Sequence, residues 1–374
     1  MELEICDLSA SGEGVGKTDN GVVFVDGALP GEVVEVEVIQ QKKRYAKAKL
    51  KKVLRASDQR IKPVCPYFGR CGGCQLMHLG YDAQLMFKKG RVQEALRRIG
   101  GFEIEVRPCI RSEPLGYRNK IHLHHGGLHQ RHTHKTIPIK ACTIHNLIGE
   151  KALKYAQGKK EAILKTSHAQ EEVLVIADGD VFVIDRETKM HKRDHITEEL
   201  GEMRFEIGPR DFFQVNVAQA LNLYQTAIAF AQLEPSDKVI DAYCGVGTLT
   251  LLAAGHVKEM HGIESGERAI EAAKRNAKIN GVENVSFECA LVEESELDCD
   301  VLFLNPPRGG VDPKVIDTVL EKAPKRIVYI SCDPATLARD LKRLSARYHL
   351  DAVQPLDMFP QTAHVETVVS MQLQ

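Results

Sequence analysis

Cys332 sits in Ser331-Cys332-Asp333-Pro334, directly after the apolar run Arg326-Ile327-Val328-Tyr329-Ile330. Asp333 suits an N-cap and Pro334 a first helical residue, so the thiol is expected against the positive end of a helix. That placement lowers a thiol pKa and enriches the nucleophilic thiolate. Taken alone, a cysteine at a strand end is more often a small buried hydrophobe. A candidate base lies in His364-Val365-Glu366, with Glu366 first and His364 second. Gly245 and Gly247 in the run Asp241 to Gly247 let a backbone approach a ligand closely, and Glu264, at the end of the next apolar segment, can take both hydroxyls of a ribose. Position 250 is Thr250, where a dinucleotide fingerprint wants a third glycine, so the pattern points to a nucleoside-bearing cofactor of another kind. Asn305-Pro306-Pro307-Arg308 closes a further apolar run.

These residues need a sheet whose strands end on one crevice. From about residue 201 the pattern supplies it. Strands are expected at Lys238 to Asp241, Glu259 to Glu264, Val301 to Leu304 and Arg326 to Ile330, with helices at Leu249 to Ala254 and Glu267 to Asn280. Such alternation predicts an α/β, mostly parallel, doubly wound sheet. Residues 1–55 read instead as short strands, among them Val22 to Val25 and the alternating Glu32 to Val38, punctuated by turns such as Asn20-Gly21 and Pro30-Gly31: a small β-barrel. Residues 56–200 form a central α+β part with an amphipathic helix around Tyr81 to Ile99 and strands at Lys120 to His124 and Val173 to Ile176.

The composition is that of an ordinary folded chain of 374 residues, 43% hydrophobic and 27% charged, which suits two or three domains. No apolar run is long enough to span a membrane and the first residues lack a signal-peptide pattern, so a cytoplasmic chain is expected, and separately a monomer. The net charge of -1 hides an asymmetry: residues 1–100 carry +5, residues 101–200 carry +2 and the remainder carries -8. A polyanion would be gripped by the first half, where Lys42 to Lys52 is either a solvated strand or a phosphate-contacting face. The stretch His122 to His134 holds six histidines, which could bind a metal but in strands and turns more often face solvent.

Together, Phe213-Gln214-Val215-Asn216, Asp241 to Gly247, Asn305 to Arg308, Ser331 to Leu337 and His364 to Glu366 resemble the RNA uridine-C5 methyltransferase family. The resemblance implies a class I S-adenosylmethionine fold in residues 201–374, Cys332 as nucleophile and Glu366 as base. It implies cofactor contacts from Gln214, Tyr243, Gly245, Gly247, Glu264 and Asn305. The chemistry is coherent: C5 of uracil is a poor nucleophile until a thiolate adds at C6, and a base must then remove the C5 proton so that the thiol can leave. Asn305 stands where the family usually has Asp, so that contact can donate as well as accept but carries no charge.

Ten cysteines in a chain without secretory features suggest metal ligation or catalysis rather than disulfides. Five residues separate Cys65 from Cys71 and two separate Cys71 from Cys74, which is not the paired spacing of a zinc ribbon. The iron–sulfur branch of the same family holds a [4Fe–4S] cluster on such a run plus a distant cysteine, a place that Cys142 matches. Residues 1–55 are similar to a TRAM domain, and barrel plus cluster looks most like the branch acting on 23S ribosomal RNA. Other readings are a transfer-RNA m5U54 enzyme, an amino-group methyltransferase using Asn305-Pro306-Pro307, and a non-catalytic RNA-binding iron–sulfur protein.

Overall fold

The computed structural model describes residues 1–374 except Asn20, so the turn expected at Asn20-Gly21 lies partly outside the described residues. Strands β1 (Glu2–Leu8), β2 (Gly14–Thr18), β3 (Gly21–Asp26), β4 (Val33–Gln41) and β5 (Tyr45–Arg55) close into a barrel in the order β1-β2-β3-β5-β4. Alternation drives it: Val34 and Val36 point inward, as do Ala46 and Ala48, while Glu35, Glu37, Lys49 and Lys51 face water. Closure leaves no open sheet edge. The basic strand is partly neutralised by Lys51 to Glu37 at 2.5 Å and Lys47 to Glu13 at 3.8 Å.

The central part is an antiparallel sheet of seven strands: β6 (Lys120–His124), β7 (Gly127–His129), β8 (Thr136–Pro138), β9 (Glu161–Ser167), β10 (Glu172–Ala177), β11 (Asp180–Ile184) and β12 (Met190–His191), in the order β12-β11-β10-β9-β6-β7-β8. A hairpin, β13 (Ile196–Leu200) and β14 (Met203–Ile207), leads into the last part.

There a second seven-stranded sheet runs β17-β16-β15-β18-β19-β21-β20. Its strands are β15 (Lys238–Ala242), β16 (Glu259–Glu264), β17 (Val285–Cys289), β18 (Val301–Leu304), β19 (Arg326–Ser331), β20 (Tyr348–Leu356) and β21 (Glu366–Leu373). Neighbours from β17 to β19 are parallel, and β21 is antiparallel to both β19 and β20. Period-two alternation splits the apolar runs between two cores. Val301, Phe303, Val328 and Ile330 face one, and Leu302, Leu304, Ile327 and Tyr329 face the other. Each such side chain, fully buried, contributes roughly 1.5–3 kcal/mol. Helices at Val217–Ala231, Thr248–Ala254 and Glu267–Ile279 cover the first face, and helices at Pro313–Lys322 and Pro334–Leu344 cover the second.

The expected helix at Tyr81 forms over Tyr81–Ala95 and closes in a π-helical turn at Leu96–Gly100. It belongs to this second face, since Val92 and Leu96 lie in its core. Its buried stripe also contains Gln84 and Lys88, so the face is less apolar than the amphipathic reading anticipates. Lys88 and Asp357 are both 0% exposed and paired. Burial alone favours the neutral form of each, and their mutual attraction opposes it. Removing one partner strands the other charge in the core. Lys88→Met is therefore expected to cost about 3–5 kcal/mol in urea denaturation, with Lys88→Met/Asp357→Leu recovering much of it.

Candidate active site

Strand order explains why the chemistry-bearing residues meet. Parallel strands β15, β16, β18 and β19 end together, and the segments that follow carry Tyr243 and Gly245, Glu264 at the strand end itself, Asn305 to Arg308, and Cys332. The antiparallel β21 starts at this same end. Ser331 pairs with Thr367, so Cys332, one residue on, stands opposite Glu366, one residue back. All of these line one cavity of about 970 Å³, together with Gln214, Phe212, Phe359 and His364.

The nucleoside side of the cavity is built from backbone. Tyr243, Gly245 and Gly247 all have positive φ, at 70°, 56° and 81°. For Tyr243 that is a strained conformation, which persists only when its surroundings impose it. A Cβ on Gly245 would meet no atom within 4 Å, so the space beside it is cavity. A Cβ on Gly247 would come within 3.1 Å of the Ala273 Cβ, so that glycine serves packing instead. Asp241 is buried and accepts from Thr250 Oγ1 at 2.7 Å; it braces the turn rather than facing the cavity. Glu264 accepts from Gly266 N at 2.9 Å and Gly245 N at 3.3 Å, which fixes its carboxylate at the cavity wall. An aligned carboxylate, an open backbone turn and the amide of Asn305 fit a ribose and an amino-acid-bearing nucleoside such as S-adenosylmethionine.

At the other end, Asp333 caps its helix as expected, Oδ1 accepting from Ala335 N at 2.9 Å and Thr336 N at 3.0 Å. The expected lowering of the Cys332 pKa is not found. Burial pushes the thiol up, the Glu366 charge adds to this, and Arg308 opposes through its charge and a hydrogen bond. Glu366 is only 6% exposed, not solvated at a strand start, and burial lifts it to about 8 against the pull of Arg308. His364, the second choice of base, is kept neutral by burial and by Arg308, Arg91 and Lys88.

Sequence reasoning passed over the clamp that holds this end. The segment from Asp357 to His364 is bound almost residue by residue. Lys88 donates to Asp357 and, at 3.0 Å, to Phe359 O. Asn216 donates to Met358 O at 3.3 Å and Tyr117 to Pro360 O at 3.0 Å. Gln84 and Gln361 exchange two hydrogen bonds, and Arg91 donates to Ala363 O. Gln75 N and Leu76 N, just after Cys74, both donate to Gln361 O at 2.9 Å. The signal in the sequence was a pair of polar residues at four-residue spacing, Gln84 and Lys88, on the buried side of the helix with Ala83 and Val92.

Cys65, Cys71, Cys74 and Cys142 line a second cavity of about 360 Å³, which shares Arg308, Phe359 and His364 with the first. The thiols feel one another: Cys74 is raised first by burial, then by Cys142, Cys71 and Cys65. Among the described residues, no three of these sulfurs lie within 4.8 Å of one another. A mononuclear tetrahedral thiolate site would bring them to about 3.8 Å.

The C-terminal residues 289–374 match the family model for tRNA (Uracil-5-)-methyltransferase, residues 1–51 match the TRAM domain, and residues 223–329 match the methyltransferase small domain. An RNA methyltransferase of Listeria monocytogenes serotype 4b is 35% identical, over 100% of this chain and 97% of that one. One from Caldanaerobacter subterraneus is 36% identical, over 98% and 96%. Among solved structures, the Pyrococcus abyssi tRNA (uracil-54, C5)-methyltransferase in complex with S-adenosyl-L-homocysteine superimposes with a TM-score of 0.80 at 30% identity, covering 99% of this chain and 100% of that one. With similarity that runs over the whole chain in sequence and in structure, this chain belongs to the S-adenosylmethionine-dependent RNA uracil-5-methyltransferases, with a TRAM domain at its N-terminus.

Proposed function

We propose that the chain forms 5-methyluridine in RNA by covalent catalysis, with Cys332 as nucleophile and Glu366 as base. The observation that carries this is the ladder register that sets Cys332 against Glu366 in one cavity, with Arg308 between them in charge and reach. S-adenosylmethionine, held by Gln214, Tyr243, Gly245, Glu264 and Asn305, with Gly247 packing the turn behind them, supplies an electrophilic methyl group when bound. Cys332 loses its thiol proton to solvent, and the thiolate adds to C6 of the uracil, which pushes the C5–C6 π electrons toward the C4 carbonyl oxygen and makes C5 nucleophilic. Once C5 carries its methyl group, Glu366 takes the C5 proton, the C5–C6 double bond re-forms and the thiolate leaves. Arg308, where amino-methylating enzymes place an aromatic residue, stabilises both the thiolate and the carboxylate.

Both groups work deprotonated; burial lifts Glu366 to about 8 and pushes the Cys332 thiol above its ordinary value, so kcat/KM rises with pH through about 8 and keeps rising on the alkaline side. Arg308→Gln removes the opposing charge and moves the rise further to the alkaline side. A flat profile, or an unmoved one in the variant, contradicts this assignment.

The division of labour follows the chain: residues 1–55 grip phosphates through the basic strand β5, residues 56–200 carry the cysteine site, and residues 201–374 perform the transfer. The target uridine leaves its stack to enter the cavity, with Phe212, 66% exposed, and Phe359 offering aromatic faces at its wall. Cys65, Cys71, Cys74 and Cys142 hold a [4Fe–4S] cluster in this reading. Their loop hydrogen-bonds to Gln361, so its place is structural, bracing the segment that precedes Glu366.

For the RNA, the layout of barrel and cysteine run favours 23S ribosomal RNA. Likeness over the whole chain to an enzyme of tRNA uracil-54 supports transfer RNA instead, since that enzyme aligns across the barrel as well. Nucleoside mass spectrometry after incubating unmodified transfer RNA and ribosomal RNA separately with S-adenosylmethionine tests both points. New 5-methyluridine in one pool supports the reading and names the substrate; none in either pool refutes it.

A further inference from the structure

The outer face of the central sheet gathers donors that methyl transfer does not use. Along β6, Ile121 and Leu123 enter the core, so His122 and His124 emerge together on the opposite face. Glu161 of β9 is the antiparallel partner of His124, and its Oε1 lies 2.5 Å from His122 Nε2. One ligand atom from each of His122, His124 and Glu161 falls within 4.8 Å of the other two. From β7, His129 stacks on His124 with ring centroids 4.2 Å apart, and its Nδ1 is buried with no hydrogen-bond partner. An ion pair between His122 and Glu161 explains one contact but leaves the nitrogens of His124 and His129 without a role.

We propose that His122, His124 and Glu161 form a binding site for a divalent ion of the zinc class, distinct from the cysteine set. Two imidazoles and one carboxylate are a donor set that zinc takes with a fourth position left to water. Magnesium and calcium, which prefer oxygen, do not suit two nitrogens. The ligands stand on paired strands, a frame that is rigid before any ion arrives. In the bound state the ion takes the place of the direct contact between His122 and Glu161. A second trio of equal closeness, Glu13, Asp26 and His132, makes the contrast. There Arg131 already sits 2.5 Å from Asp26 and Lys47 3.8 Å from Glu13, so the positive charge is supplied by the protein. The ion would tie β6 to β9 beside the cysteine loop, where Gly72 N donates to His129 O at 3.0 Å and Cys71 bridges to Gln130.

The test is a titration of the full-length chain with cobalt(II), without oxygen. Thiolate-bound cobalt absorbs intensely in the near ultraviolet, whereas cobalt on nitrogen and oxygen shows only weak visible bands, so the two kinds of site are read separately. One equivalent of the weak-band species is expected, displaced by zinc. His124→Ala and Glu161→Gln, each checked for fold by circular dichroism, should weaken it by no less than the roughly 10- to 100-fold that loss of even an outer partner costs. Glu13→Gln should leave it unchanged. X-ray absorption of the zinc-loaded wild type, which needs no variant, should show a nitrogen and oxygen shell in addition to any sulfur. Cobalt spectra with thiolate bands alone, weak bands that persist in both variants, or a zinc shell of sulfur only would overturn the proposal.

Discussion

Replacing Cys332 by alanine is expected to lower 5-methyluridine formation by at least about 10⁴-fold, the scale on which enzymes lose activity with their nucleophile. S-adenosylmethionine binding should be unchanged, because the residues that face the nucleoside lie on other strand ends, at Tyr243, Gly245, Glu264 and Asn305. The fold should also survive: Cys332 is only partly buried, and Ser331 and Asp333 keep the strand end and the helix cap in place. Binding by isothermal calorimetry alongside product by mass spectrometry separates the two effects. The result discriminates between chemistries as well. Transfer to an exocyclic amino group needs no thiolate, so a variant that keeps its rate would return the site to that reading.

Glu366→Gln should behave differently. The amide fills the same buried space and leaves Cys332 free to attack, but it cannot take the C5 proton. Turnover should fall about 10²- to 10⁴-fold, while a covalent complex of protein and RNA accumulates and survives denaturing electrophoresis. In the wild type the same complex should be transient. His364→Gln supplies the control: its ring lines the same cavity, yet the register places Glu366, not His364, across from the thiol. Accumulation in the His364 variant rather than the Glu366 variant would exchange their roles.

Much of this was legible because the last domain is written in buried strands. Runs such as Val301 to Leu304 and Arg326 to Ile330 are apolar on both faces, a pattern that only a sheet covered on both sides accommodates, and the residues just after them fall by geometry on one crevice. Helix capping by Asp333 was equally local. What escaped the sequence depends on contacts between distant segments. The thiol pKa could not be read from the helix alone, since burial and Glu366 outweigh the helix end once β21 has paired with β19. Nothing near Lys88 announces Asp357, which lies 269 residues away and is buried with it. Gln361, with φ of 69°, reads as an ordinary loop residue until Gln84 and the amides after Cys74 are seen to hold it. That clamp joins the cysteine loop to the segment that precedes Glu366, so the central part of the chain helps to assemble the active site.

The central claim, a covalent bond from Cys332 to uracil C6, is tested most directly with RNA carrying 5-fluorouridine at the target position. Fluorine at C5 cannot be removed as a proton, so the adduct formed after methyl transfer has no route to elimination. The account predicts a stable one-to-one complex that requires S-adenosylmethionine, with the added mass mapped by peptide sequencing to Cys332. Efficient methyl transfer without any trapped species, or an adduct mapped to another cysteine, would contradict it.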